Sequence, residues 1–128
     1  MKLKNTGKHD HNWGMEINWT NSENYSGKLL VFPKAGAKTD LIVHKNRRKS
    51  WFVNAGKFKI SLIDVKTGQL KETILEEGKI ADLSEMSPHR LEAMEPNSII
   101  FEVGTADDTT DTFILDSDVP QKSSEEPK

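Results

Sequence analysis

The side chains that could do chemistry gather around one stretch, GAKTDLIVHKNRRKSWFVNAG from Gly36 to Gly56. It holds His44, a basic run from Lys45 to Lys49, and Trp51; a second histidine in a strand-like setting, His89, follows downstream. Imidazole ligates metals and moves protons. His44 and His89 therefore read either as two ligands of a cation whose open positions water or substrate would fill, or as pocket histidines hydrogen-bonded to their neighbours. Lys49 shares strand parity with Trp51 and Val53, so if the tryptophan faces a cavity the ammonium stands near its rim. There, with Arg47 or Arg48 as a guanidinium fork, it would hold a small anion such as a sugar phosphate or a carboxylate. Otherwise the run is a solvated basic turn. Trp51 reads as core, or as a platform on which a sugar ring stacks.

His9 and His11 form an HxH pair in a polar segment, residues 1–12, that precedes the first apolar alternation; a flexible, surface placement is expected for it. The chain has no cysteine, which excludes disulfides, thiolate metal sites and a cysteine nucleophile. No phosphate-cradling glycine loop, serine-hydrolase elbow or helical HExxH occurs. With 20 acidic residues, the sequence does not single out a catalytic carboxylate pair.

The elements that must position these groups are short. Phe58, Ile60 and Leu62 alternate with Lys57, Lys59 and Ser61, the period of two of a half-buried strand. Similar segments fall at Met15 to Trp19, Tyr25 to Phe32, Leu41 to His44, Trp51 to Val53, Gln69 to Leu75, Lys79 to Leu83, His89 to Ala93, Ser98 to Gly104 and Thr112 to Leu115. Turn residues separate them, among them Lys66-Thr67-Gly68 and Glu76-Glu77-Gly78. No long helical period appears. The expectation is an all-β, antiparallel sandwich or barrel over residues 13–116, one domain by length, with residues 117–128 a disordered tail rich in proline, serine and charge.

A net charge of -2 argues against a phosphate-backbone mode of nucleic-acid binding, which needs a broad basic face. No window approaches a membrane span, and MKLKNTGKHD has no apolar signal core, so a soluble, cytoplasmic protein is expected, with no nucleic-acid and no membrane partner.

The frame of Gly36, a strand carrying His44, a charged residue at 49 and Gly56 resembles the first sequence motif of the cupins; Gly78, the turn from Ser84 to Met86, and His89 resemble the second. Within that superfamily the segments NWGMEINW, GKLLVFPKAG, HKNRRKSW and HRLE resemble the cupin domain of type II mannose-6-phosphate isomerases, over roughly residues 13–116, and also small stand-alone cupins, some of them carried by marine viruses. The resemblance implies a single-domain double-stranded β-helix, or jelly-roll barrel. It also implies a divalent transition metal (Mn, Fe, Ni or Zn) held by histidines and a glutamate at the barrel mouth. In the usual register the family's first histidine falls on Ile42, its second on His44 and its glutamate on Lys49. In the isomerase-like register the same places fall on His44, Asn46 and Lys49. Either way only His44 and His89 remain as metal ligands, and a lysine stands where the carboxylate would be.

The expected function is thus a small-molecule binding cupin. It would hold a polar or anionic ligand of the sugar or sugar-phosphate class among Lys49, Trp51, His44 and His89, with a degenerate metal site. The alternative is a metal-dependent sugar-phosphate isomerase using His44 and His89 as ligands. A homodimer is expected, paired through the strand Tyr25 to Phe32 with Trp13 and Trp19.

Overall fold

The computed structural model describes residues 1–116. Its strands in chain order are β1 (Gly7–His11), β2 (Gly14–Asn21), β3 (Ser26–Phe32), β4 (Leu41–His44), β5 (Lys49–Ala55), β6 (Lys57–Ile63), β7 (Leu70–Glu76), β8 (Ile80–Leu83), β9 (His89–Ala93), β10 (Ser98–Gly104) and β11 (Thr112–Asp116), with one 3-10 turn at Thr109–Asp111. They form two antiparallel sheets, a six-stranded one ordered β1-β2-β3-β10-β5-β8 and a five-stranded one ordered β11-β4-β9-β6-β7. This is the all-β antiparallel architecture expected from the strand pattern, in the jelly-roll form that the cupin resemblance implies.

Alternation fixes which residues face inward. In β5 Lys49, Trp51 and Val53 are buried while Phe52 and Asn54 are exposed; in β10 Ser98, Ile100 and Glu102 are buried while Phe101 is exposed. In β9 the buried set is His89, Leu91 and Ala93. One end of the space between the sheets is filled with apolar side chains. Phe32 stacks on Trp13 and meets Phe58 edge-on, with Val53, Ile60 and Ile100 around them. The other end is polar, and the site lies there.

Residues 7–11 depart from the flexible segment expected at the N-terminus. They form β1, paired residue for residue with β2 from Gly7 opposite Asn18 to His11 opposite Gly14. Every β1 side chain is exposed. The strand is held through its backbone and so carries no apolar alternation to announce it. Trp13, expected in packing or a dimer contact, lies in the core. Residues 117–128, expected as a disordered tail, lie outside the described residues.

Candidate functional site

Two transverse rows of the six-stranded sheet build the floor of the site. Lys28 on β3 pairs with Glu102 on β10, which pairs with Trp51 on β5. One row further, Ser26 lies opposite Gly104, and Gly104 opposite Lys49. Gly104 is required there: a Cβ would stand 2.7 Å from the Arg48 carbonyl oxygen and 3.1 Å from both Arg47 Nη2 and Lys49 Cβ. Its missing side chain is the space through which Arg47, on the β4–β5 turn, turns inward. Asp111 shapes that turn from outside, accepting the backbone N–H groups of Lys45 and Asn46 at 2.9 Å each. Those bonds lower the Asp111 pKa.

The basic turn is therefore split. Arg48 stays at the surface, while Arg47 and Lys49 are 3% and 7% exposed. Arg47 Nη2 donates to Glu102 Oε2 at 3.0 Å and to Ser26 Oγ at 2.8 Å. Glu102 Oε1 accepts the Trp51 indole N–H at 2.8 Å and lies 3.7 Å from Lys49 Nζ. Lys49 also reaches His44 Nε2 at 3.1 Å. Toward the mouth, Lys28 pairs with Glu16 at 2.9 Å and Asp107 at 2.7 Å, and His11 pairs with Glu16 at 3.0 Å while stacking on Trp13.

The five-stranded sheet supplies the two histidines. Ile42 on β4 lies opposite His89 on β9, which sets His44 and His89 diagonally across the two strands with ring centroids 5.6 Å apart. His44 Nδ1 is 3.2 Å from the Asp111 carbonyl and His89 Nδ1 is 2.8 Å from the Ser87 carbonyl. A carbonyl only accepts, so each Nδ1 carries the proton and each Nε2 presents a lone pair. The His44 lone pair accepts a hydrogen bond from Lys49. The His89 lone pair is buried and has no hydrogen-bond partner among the described residues.

Burial, then the charge of Lys49, lowers the histidine pKa values, to about 4 for His44 and about 3 for His89, so both rings are neutral at pH 7. Burial also lowers Lys49, to about 8, against the opposing pull of Glu102. For Glu102 burial alone would raise the pKa; Lys49, Arg47, Lys28 and the Trp51 N–H outweigh it and hold the carboxyl well below the usual range. The innermost charges are thus Arg47 and Lys49 against Glu102, while Lys28 lies among Glu16, Asp40 and Asp107 toward the mouth. Together these groups border a cavity of about 240 Å³, walled on its apolar side by Leu30, Ile42 and Leu91.

No protein-family model matches the sequence, and no curated protein does. Solved structures match the fold. Oxalate decarboxylase from Bacillus subtilis aligns with a TM-score of 0.74 over 86% of this chain at 21% identity, and this chain spans 30% of that one. CapF, a capsular polysaccharide assembling protein from Staphylococcus aureus, aligns with a TM-score of 0.75 over 89% of this chain and 33% of its own, at 14% identity. KdgF from Halomonas sp., of which 91% is covered, aligns with a TM-score of 0.69 over 81% of this chain at 15% identity. All three are cupin-fold proteins. This chain has the cupin fold. At these identities the likeness carries the fold and does not extend to the narrower resemblance to mannose-6-phosphate isomerases.

The cupin frame gives the lysine its meaning. The structure brings Lys49, Trp51, His44 and His89 together at one end of the cupin barrel, as the motifs imply. The donor set, however, does not fit a resident divalent cation. Among the described residues no group of three His, Asp or Glu side chains converges to hold one. The His44 lone pair is engaged by an ammonium that has none of its own to offer a metal. Arg47 adds a second positive charge nearby, so a divalent ion would meet repulsion from both. The metal role expected for His44 and His89 is therefore replaced by hydrogen bonding to Lys49 for His44, and by an available acceptor for His89.

Two residues at the centre were not singled out from sequence. Glu102 entered only within the strand-like segment Ser98 to Gly104, and Lys28 only within the strand Tyr25 to Phe32 and the segment GKLLVFPKAG. The signal was parity: Glu102 is in phase with Ile100 and Ser98, and Lys28 with Leu30 and Phe32, so each is a charge on the core side of its strand. Trp51 is core in its burial and bonded in its N–H. Its indole meets His89 edge-on at 5.4 Å and carries Lys49 Nζ 5.3 Å from its centroid, so its face is not an open platform for a sugar ring. His9 and His11, expected on a mobile surface, sit on a strand, and His11 borders the cavity mouth.

Proposed function

We propose that this cupin barrel binds a small hydroxylated anion, of the sugar-acid or sugar-phosphate class, and that it does so through Lys49 and His89 without a metal. The observation that carries this reading is the pairing of an unmet acceptor with a charged donor in one cavity. A lysine ammonium has three N–H bonds. His44 accepts one and Glu102, at 3.7 Å, is an ion-pair neighbour beyond hydrogen-bond length, which leaves N–H capacity for an oxygen of a carboxylate or phosphate. His89 Nε2 has a buried lone pair that a ligand hydroxyl would satisfy. The innermost charges, Arg47 and Lys49 against Glu102, favour an anion at that end of a cavity whose mouth is acidic, and a volume of 240 Å³ has room for about eight waters, which suits a compact ligand better than a nucleotide. Arg47 is committed to Glu102 and Ser26, so it acts through the field it adds and by fixing Glu102.

Calorimetric titration of the full chain with gluconate, glucose 6-phosphate and glucose tests this. Gluconate or the phosphate should bind at least about tenfold more tightly than glucose, and Lys49→Met should remove that preference. Binding should weaken as pH rises through about 8, where the ammonium discharges. Equal binding of the neutral and charged sugars, or a preference that survives Lys49→Met, would overturn the reading. Lys49→Glu approaches the frame from the other side. It places a carboxylate beside two imidazoles, and its affinity for Mn or Zn should rise by about tenfold or more over the unaltered chain. A metal content near one per chain in the unaltered protein would instead favour the metal-dependent isomerase reading.

A further inference from the structure

We propose that the cavity takes a zwitterion: a compact hydroxylated molecule whose anionic group meets Lys49 at one end and whose ammonium group meets Glu16 at the other, as in an amino-sugar phosphate. This rests on the reading that Lys49 holds an anion, and narrows it. The observation is a chain of contacts along one wall of the cavity. His11 lies 3.0 Å from Glu16, Glu16 2.9 Å from Lys28, and Lys28 2.7 Å from Asp107. Asp107 lies 3.9 Å from Arg47, Arg47 3.0 Å from Glu102, Glu102 3.7 Å from Lys49, and Lys49 3.1 Å from His44. All eight residues border the same cavity.

Charge alternates along that chain, and the consequence lies at its ends. Its three carboxylates and three cations sum to zero, so the wall as a whole favours neither sign. Lys28, Asp107, Arg47 and Glu102 each have an opposite charge on both sides. Lys49 and Glu16 have one each, with an imidazole on the other side. The chain therefore presents positive charge at its inner end and negative charge at the mouth. Asp40, which borders the cavity as well, adds to the negative charge. The two lysines register this gradient. Burial lowers the Lys28 pKa, but Glu102, Asp107 and Glu16 outweigh it and leave it raised, whereas Lys49 is lowered to about 8 by burial, with Arg47 and Lys28 adding to that against Glu102.

The two ends are not adjacent. Glu16 stands on β2 and Lys49 on β5, with β3 and β10 between them, which sets their backbones roughly 14 Å apart at about 4.8 Å per strand. Side chains reaching into the cavity shorten that span without closing it, so the ligand's two charges belong at opposite ends of its skeleton. An α-amino acid, with both charges on one carbon, would meet only one end. Glu16 has room for an ammonium: its oxygens meet His11 and Lys28 once each, and a carboxylate has about four lone-pair sites. His89 is a second, independent sign of a ligand in this cavity. It is 3% exposed and its buried Nε2 has no hydrogen-bond partner among the described residues, so a ligand hydroxyl would satisfy it. An amino group in place of a hydroxyl adds almost no volume. The cavity of about 240 Å³ admits either, and charge decides between them.

Calorimetric titration of the full chain with glucosamine 6-phosphate, glucose 6-phosphate and glucose tests the two ends separately. Glucosamine 6-phosphate should bind about tenfold more tightly than glucose 6-phosphate, and glucose 6-phosphate more tightly than glucose. Glu16→Gln should bring the two phosphates to nearly equal affinity. Should that variant not fold, N-acetylglucosamine 6-phosphate gives the same reading on the unaltered chain, since acetylation discharges the nitrogen and the gain should vanish. Two phosphates of equal affinity, both tighter than glucose, would overturn the zwitterion and leave the anion reading standing, as would a gain that Glu16→Gln leaves intact. Phosphates that bind no better than glucose would overturn the anion reading, and this inference with it.

Discussion

The two sheets of this barrel are polarised in opposite senses. The six-stranded sheet turns charge inward, with Lys28, Lys49 and Glu102 on its inner face and an apolar row on its outer face. The five-stranded sheet turns Phe58, Ile60 and Leu91 inward with two neutral histidines, and carries its lysines, arginine and glutamates outside. The inner charges of the first sheet tolerate burial because nearly every hydrogen-bonding atom is met by an opposite charge, a serine or an imidazole. Burial of such a network is weak evidence for stability and stronger evidence for a site. The contrast puts buried charge and exposed apolar side chains on opposite faces of one sheet.

Breaking the inner network should have the largest effect. Glu102→Ala removes the carboxylate that Arg47, Lys49 and Trp51 share and leaves two buried cations, so unfolding free energy should fall by about 3–5 kcal/mol in urea titration. A loss near that of a surface pair would mean the network relaxes into water and the inner charge is not confined.

The histidines of the other sheet sharpen the comparison through pH. Their pKa values are lowered from 6.5 to about 4 and about 3, so below 6.5 the unfolded chain binds protons that the folded chain refuses. Their contribution is complete above pH 6.5 and is lost as pH falls through the folded values. Urea midpoints should therefore drop between about pH 7 and pH 5, above the range where Glu102 titrates in the unfolded chain, by an amount worth on the order of 1–3 kcal/mol. His89→Gln should flatten that limb. An acid limb unchanged by the substitution would assign the dependence to other groups.

The smallest effect belongs to the outer face of the five-stranded sheet. Lys59 bridges two glutamates in solvent, and Lys59→Ala should leave the urea midpoint nearly unchanged, with any difference smaller still in high salt. A larger loss would show that the charged lattice does more than solvate the sheet.

Most of the barrel was legible as alternation. The strands from Met15 to Leu115 stand where apolar and polar residues exchange at period two, because one face of each is buried, and turn residues mark their ends. β1 was not legible, since Gly7–His11 bonds through its backbone and every side chain is exposed. His44, His89, Lys49 and Trp51 were legible as a set from the motif frame. Whether the basic run is solvated was not: Arg47 and Arg48 are adjacent and of one type, yet one is buried and the other is not.

The sequence by itself determined the strand periods, the turn positions, the lysine in place of a carboxylate, and the core-side parity of Glu102 and Lys28. Tertiary structure decided what those parities meant. Only strand register sets Lys28 beside Glu102, Glu102 beside Trp51, and Gly104 beside Lys49, because partners on different strands are chosen by pairing across the sheet and not by spacing along the chain. The same holds for the outer row of Ile17, Leu29, Phe101, Phe52 and Ile80, whose residues lie far apart in sequence and become one surface when five strands align. A charge on one strand is an ambiguous sign. Which charge stands opposite it, and how much water reaches both, is a property of the folded barrel.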